Sequence, residues 1–117
     1  MFSRNLAFII GINNYTNGIS PLKTAVNDAK KLVETLREKH GYQVWVCLDE
    51  VATLSTLNQF LEKTLPEQVS ENDRLLFYFA GHGVALNGDE GPAGYLIPQD
   101  AKRGDIDSYL PRSKRIS

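Results

Sequence analysis

The chain opens with Leu6-Ala7-Phe8-Ile9-Ile10-Gly11-Ile12, apolar on both parities. A strand covered on both faces requires that pattern, and the run is too short for a buried helix, so it reads as a central first strand. Turn formers follow from Asn13 to Gly18. Apolar positions 22, 25, 26, 29, 32, 33 and 36 then keep the helical period as far as Gly41, a natural helix stop. Lys30, Lys31, Glu34, Arg37 and Glu38 fall on the solvated face of this helix. Val44-Trp45-Val46-Cys47-Leu48 reads as a second strand, and Thr53 as the N-cap of a second helix. That helix carries Leu54, Leu57, Leu61 and Leu65 on one face and fades at Pro66. Leu75-Leu76-Phe77-Tyr78-Phe79 repeats the strand signature.

Strand, helix, strand, helix, strand at this spacing predicts an α/β fold with parallel strands and right-handed crossovers. Val84-Ala85-Leu86 and Tyr95-Leu96-Ile97 predict a hairpin with a Gly-rich, acidic tip. From Lys102 to Ser117 the apolar period is lost and the chain ends basic. The expected core therefore spans about residues 5–101, with 102–117 an irregular tail.

At 117 residues the chain holds one domain at most, and its 42% apolar and 23% charged residues are those of a soluble globular protein. Thirteen basic against fourteen acidic residues leave a net charge of -1, which removes the electrostatic reason to expect nucleic acid or an anionic membrane as partner. One cysteine, Cys47, and two histidines, His40 and His82, are too few for a disulfide framework or an all-protein structural zinc site. A cytoplasmic home is expected, since the start lacks the features of a secretory signal.

In an open parallel sheet, chemistry collects at the carboxyl ends of the strands. The loop after the third strand is the distinctive one. Ala80-Gly81-His82-Gly83 sets an imidazole between two glycines directly past a buried strand. The residues alone leave His82 either a general base or an ordinary loop histidine. Cys47, inside an apolar strand, reads as a small core hydrophobe, since a nucleophile needs exposure and a lowered pKa. Asp28, near the start of the first helix, reads as an exposed, dipole-favoured acid. Asp49 and Glu50 imitate a phospho-acceptor pocket only weakly, because Asn13-Asn14 rather than acids follow the first strand. The first turn also lacks both G-x-G-x-x-G and G-K-[ST].

Four segments in order nevertheless resemble the caspase-like cysteine peptidases, in particular their prokaryotic metacaspase-like branch. They are Leu6 to Asn13, Leu22 to Ala29, Leu76 to Gly83, and Gly94 to Ala101. The resemblance spans roughly residues 5 to 110. It implies a three-layer sandwich with a mostly parallel sheet and helices on both faces. It makes His82 the catalytic histidine of a cysteine-type endopeptidase and Asp28 an acid lining the S1 pocket, which implies cleavage after Arg or Lys. It sets Gly83 in the oxyanion region.

The family's nucleophile follows the next helix and strand in an Asp-x-Cys-type motif, and the sequence to Ser117 has no such segment. Cys47 matches no catalytic position. The expectation is a partial domain cut before the cysteine-bearing strand, by truncation, a broken reading frame or a split gene, and inactive alone. Its partners would be a peptide or protein substrate and either a complementary cysteine-bearing segment or a second copy at the exposed sheet edge. A non-catalytic caspase-like interaction module and an unrelated flavodoxin-like binder are the alternatives. No cofactor is expected. Calcium, required by some metacaspases, stays open, but Asp89, Glu90 and Asp100 lack a calcium-loop spacing and read as solvated loop acids.

Overall fold

A computed structural model describes residues 3–88 and 91–111. β1 (Asn5–Gly11) is the middle strand of a parallel sheet, flanked by β2 (Gln43–Leu48) and β3 (Arg74–Ala80) in the order β2-β1-β3. Phe8 stands between Trp45 and Phe77 in register, and Ile10 between Cys47 and Phe79. Leu6 through Ile10 are fully buried, as the double-sided apolar pattern predicts.

Period-2 alternation sends successive side chains to opposite faces. Ala7 and Ile9 meet Ala29, Val33 and Leu36 of α1 (Ala25–His40), whose apolar stripe covers that face. Phe8 and Ile10 face the other way, onto Leu57, Phe60, Leu61 and Leu65. There the ring of Phe60 stacks on Phe8 at 3.8 Å and meets Trp45 edge-on at 5.2 Å. The fold is thus α/β, with helices on both faces of a parallel sheet, as the sequence implied.

Boundaries differ from expectation in three places. Leu22 lies before α1, its N–H donating to Asn13 O at 2.7 Å. The helix starts only at Ala25, where Asn13 Oδ1 accepts the N–H of Val26 at 3.1 Å. At its other end Gly41 adopts the left-handed conformation, φ 66°, that a C-terminal cap favours.

The second helix does not fade at Pro66. α2 (Leu54–Gln59), capped by the Thr53 hydroxyl on the Thr56 N–H, widens into a π-turn over Phe60–Thr64 and resumes as α3 (Leu65–Gln68). The Leu65 N–H reaches back to Phe60 O, so Pro66 falls in the first turn of a new segment, where a missing N–H costs least.

The third difference lies in the tail. β4 (Gly83–Gly88) and β5 (Gly91–Leu96) form the expected antiparallel hairpin, but β6 (Leu110–Pro111) adds to β5 and Leu110 is fully buried. One apolar residue delivered to the core by a short turn leaves no period to read, so the packed chain runs to Pro111. Asp89, Glu90 and the basic residues from Arg112 lie outside the described residues. Among those described, no helix is long and apolar enough to cross a membrane.

Candidate active site

The carboxyl end of the sheet is built around the loop after β1. Asp49, the one non-glycine residue with positive φ (45°) among those described, directly follows β2 and turns its carboxylate toward the loop after β1. Its Oδ1 accepts the N–H groups of Asn13 and Asn14 at 2.8 and 3.1 Å. Gln99 holds the next peptides from the far side: its Nε2 donates to Asn14 O at 3.3 Å and its carbonyl accepts the Thr16 N–H at 3.1 Å. Tyr15 is therefore bracketed by residues from two other parts of the chain.

Its side chain reaches the histidine. Tyr15 Oη accepts the backbone N–H of His82 at 2.9 Å, and the two rings lie 5.2 Å apart, tilted by 46°. Burial, with a contribution from the Asp49 charge, pushes the Tyr15 phenol above its ordinary pKa despite the opposing His82 N–H, so the group stays a neutral hydroxyl at physiological pH. Gly81 is required by the same crowding, since a Cβ there would lie 2.9 Å from both Tyr15 Oη and the Phe79 ring.

His82 Nε2 lies 2.8 Å from the carbonyl oxygen of Ser20. A carbonyl can only accept, so Nε2 carries a proton and, in the neutral imidazole, Nδ1 keeps its lone pair. The ring lines a shallow cleft of about 220 Å³ with Ile19, Ser20, Val84, Arg103 and Tyr109. An imidazole with one nitrogen anchored and the other bearing a free lone pair can accept a proton from a nearby acid and return it.

Gly83 follows as the first residue of β4, opposite Leu96. Ile97 N–H donates to His82 O at 3.0 Å, which makes residues 82 and 97 the hydrogen-bonded pair and 83 and 96 the next, non-bonded one. The Gly83 N–H therefore turns away from β5. Gly83 also lines a groove of about 420 Å³ with Phe77, Phe79, Val84, Tyr95 and Leu96, between the outer strands β3 and β4.

Asp28 is exposed in the first turn of α1, which packs over Gly11 at this same end of the sheet. It is not among the residues that line the His82 cleft. Cys47 is buried at 7% exposure in β2, and burial pushes its thiol up. Asp100, one of the loop acids considered for calcium, accepts the Leu54 N–H at 2.9 Å and so helps cap α2. Among the described residues no group of three or more His, Cys, Asp or Glu side chains is arranged to hold a metal ion.

Sequence reasoning missed Tyr15, Ser20 and Gln99. Ser20 acts through its carbonyl, which no side-chain pattern reveals. Tyr15 and Gln99 act through contacts 67 and 85 positions distant in sequence.

Comparison with known proteins agrees with this architecture. A curated protein from a Desulfuromonadales bacterium, named a probable protease, is 30% identical over 115 aligned residues, taking in 83% of this chain and 14% of that protein. The crystal structure of protein GSU0716 from Geobacter sulfurreducens superposes with a TM-score of 0.73 at 16% identity, over 95% of this chain and 42% of that one. The chain thus spans less than half the length of either. The family described as the caspase domain, a peptidase family, matches residues 4–113, and the chain belongs to it.

Proposed function

We propose that this chain is the histidine-bearing part of a cysteine-type endopeptidase of the metacaspase-like branch, with His82 as its general base and acid. The observation that carries the reading is the Nε2 contact to Ser20 O, which leaves Nδ1 as the basic nitrogen of the ring. In the reaction, Nδ1 takes the proton of a cysteine thiol, and the thiolate sulfur bonds to the carbonyl carbon of the scissile peptide. The Gly83 N–H donates to the oxyanion that develops. When the C–N bond breaks, the imidazolium returns its proton to the leaving amine. Water then hydrolyses the acyl-enzyme with His82 again as base.

Asp28, exposed in the first turn of α1, is proposed to pair with Arg or Lys at the cleavage position. Cys47 is proposed to be a core residue, and the thiol to come from a further segment or a separate chain. The groove between β3 and β4 is the proposed seat of that segment, or of a second copy of this chain. The peptidase chemistry itself calls for no cofactor, and a free thiolate suits a reducing cytoplasm. The open groove between β3 and β4 also supports a second reading, a non-catalytic caspase-like module that binds partners through the same edge.

The test is hydrolysis of an Arg-terminated fluorogenic peptide by the purified chain, alone and mixed with a cysteine-bearing segment, beside His82→Ala and Cys47→Ala variants. The expected result is no turnover alone, turnover in the mixture, and its loss in His82→Ala only. Turnover by the chain alone that disappears in Cys47→Ala would overturn the reading.

A further inference from the structure

The hairpin ladder is interrupted at the histidine. Residues 82 and 97 form a hydrogen-bonded antiparallel pair, and such a pair ordinarily exchanges two bonds. Ile97 N–H does donate to His82 O at 3.0 Å. The return donor, the His82 N–H, instead goes to Tyr15 Oη at 2.9 Å. β4 accordingly begins at Gly83, one residue later than the register allows.

We infer that Tyr15 is a positioning residue for His82, its hydroxyl intercepting the main-chain N–H that would otherwise close the ladder and thereby setting the peptide from which the imidazole reaches Ser20 O. The inference rests on reading His82 as the working imidazole of the proposed peptidase site. Three further observations support it. The Tyr15 main chain is fixed on both sides by Asp49 and Gln99 rather than left to follow the loop. The hydroxyl is neutral, so it serves as an acceptor without bringing a second charge beside the imidazole. Gly81 leaves the space the hydroxyl occupies.

Tyr15→Phe keeps the ring contact and removes only the acceptor. Nitrogen-15 spectra of the imidazole report the tautomer directly, and the chain as it stands can be labelled. The unmodified chain is expected to show one tautomer, protonated at Nε2. Tyr15→Phe is expected to show a mixture of both, with the amide signals of β1 and α1 unmoved. A second measurement needs no variant: in the unmodified chain the His82 amide, bonded to Tyr15, should exchange with solvent about five- to tenfold more slowly than the Gly83 amide, which the ladder leaves unpaired. A single Nε2-protonated tautomer surviving in Tyr15→Phe would overturn the inference. So would a His82 amide as exchangeable as that of Gly83. Peptide hydrolysis is not among these readouts. A failed peptidase assay with the tautomer shift intact would sink the proposed activity and leave the role of Tyr15 standing, and the reverse pattern would do the opposite.

Discussion

Gly11 and Ala29 are packed so closely that a Cβ placed on Gly11 would lie 2.7 Å from the Cβ of Ala29. The same atom would meet Ala25 O at 3.0 Å and Leu48 Cδ2 at 3.2 Å. Two of these neighbours are a backbone oxygen and the first carbon of a short side chain, and neither can step aside. Gly11→Ala is therefore expected to lower stability by about 1–3 kcal/mol, the usual cost of overpacking. Urea unfolding measures it, and an unchanged midpoint would mean that α1 can lift off the sheet freely.

At the opposite end of the sheet, Arg4 ties the start of β1 to the start of β3. Its guanidinium donates to both oxygens of Asp73, at 3.2 and 2.7 Å, and to Gln68 O at 2.8 Å. Arg4 first, then the Ser70 N–H, hold the Asp73 carboxyl down at about 2 from an ordinary 3.8. A depressed folded-state pKa stabilises above the unfolded value and loses that effect as pH falls through the folded one. Asp73→Asn should then lower the thermal midpoint at neutral pH, and the gap to the unmodified chain should narrow from about pH 4 and close near pH 2. A gap constant from pH 7 to pH 2 would contradict the assignment.

Asp49 combines an unfavourable backbone conformation, φ 45°, with two N–H groups accepted by one oxygen. Asn tolerates that conformation and retains a carbonyl acceptor, whereas Ala does neither. Asp49→Asn is expected to cost under about 1 kcal/mol, and Asp49→Ala about 1–3 kcal/mol, by chemical denaturation. Equal costs would show that the carboxylate does not organise the loop.

Phe8 is fully buried, stacked on Phe60 at 3.8 Å and edge-on to Phe77 at 5.7 Å. Phe8→Ala should cost about 3–5 kcal/mol, a large share of a small domain's stability. A folded, cooperative variant with a loss under about 1 kcal/mol would mean that the helical layer closes over the gap.

Cys47 should react with a thiol reagent slowly in the folded chain and rapidly once denaturant is added, since its sulfur is buried and its thiol pushed up. Equal rates in both conditions would place the thiol at the surface.

The parts of this fold legible in the sequence are those carried by repetition. Leu6 to Ile12 announces a strand buried on both faces, and the 3.6 period from Ala25 to Leu36 announces a helix resting on it. The His82 loop was legible because glycine, imidazole and strand end coincide. What stayed hidden is carried once rather than repeated. The π-turn at Phe60–Thr64 leaves Leu57, Leu61 and Leu65 in helical order, so the pattern gives no sign of the bulge that accommodates Pro66. Leu110 is a lone anchor in a polar stretch. The Ser20 carbonyl and the Tyr15 hydroxyl meet His82 only after distant segments have packed.

The middle position of β1 also fixes an order of events during synthesis. β1, fully buried from Leu6 to Ile10, is made before β3, and its residue Asn5 finds its β3 partner, Arg74, only 69 residues later. At ordinary elongation rates that interval is about 3–14 s, and throughout it one edge of β1 has no neighbour in this sheet. The nascent chain is therefore a candidate client for holding chaperones during those seconds, and its yield on expression should depend more on translation speed and temperature than its final stability would suggest.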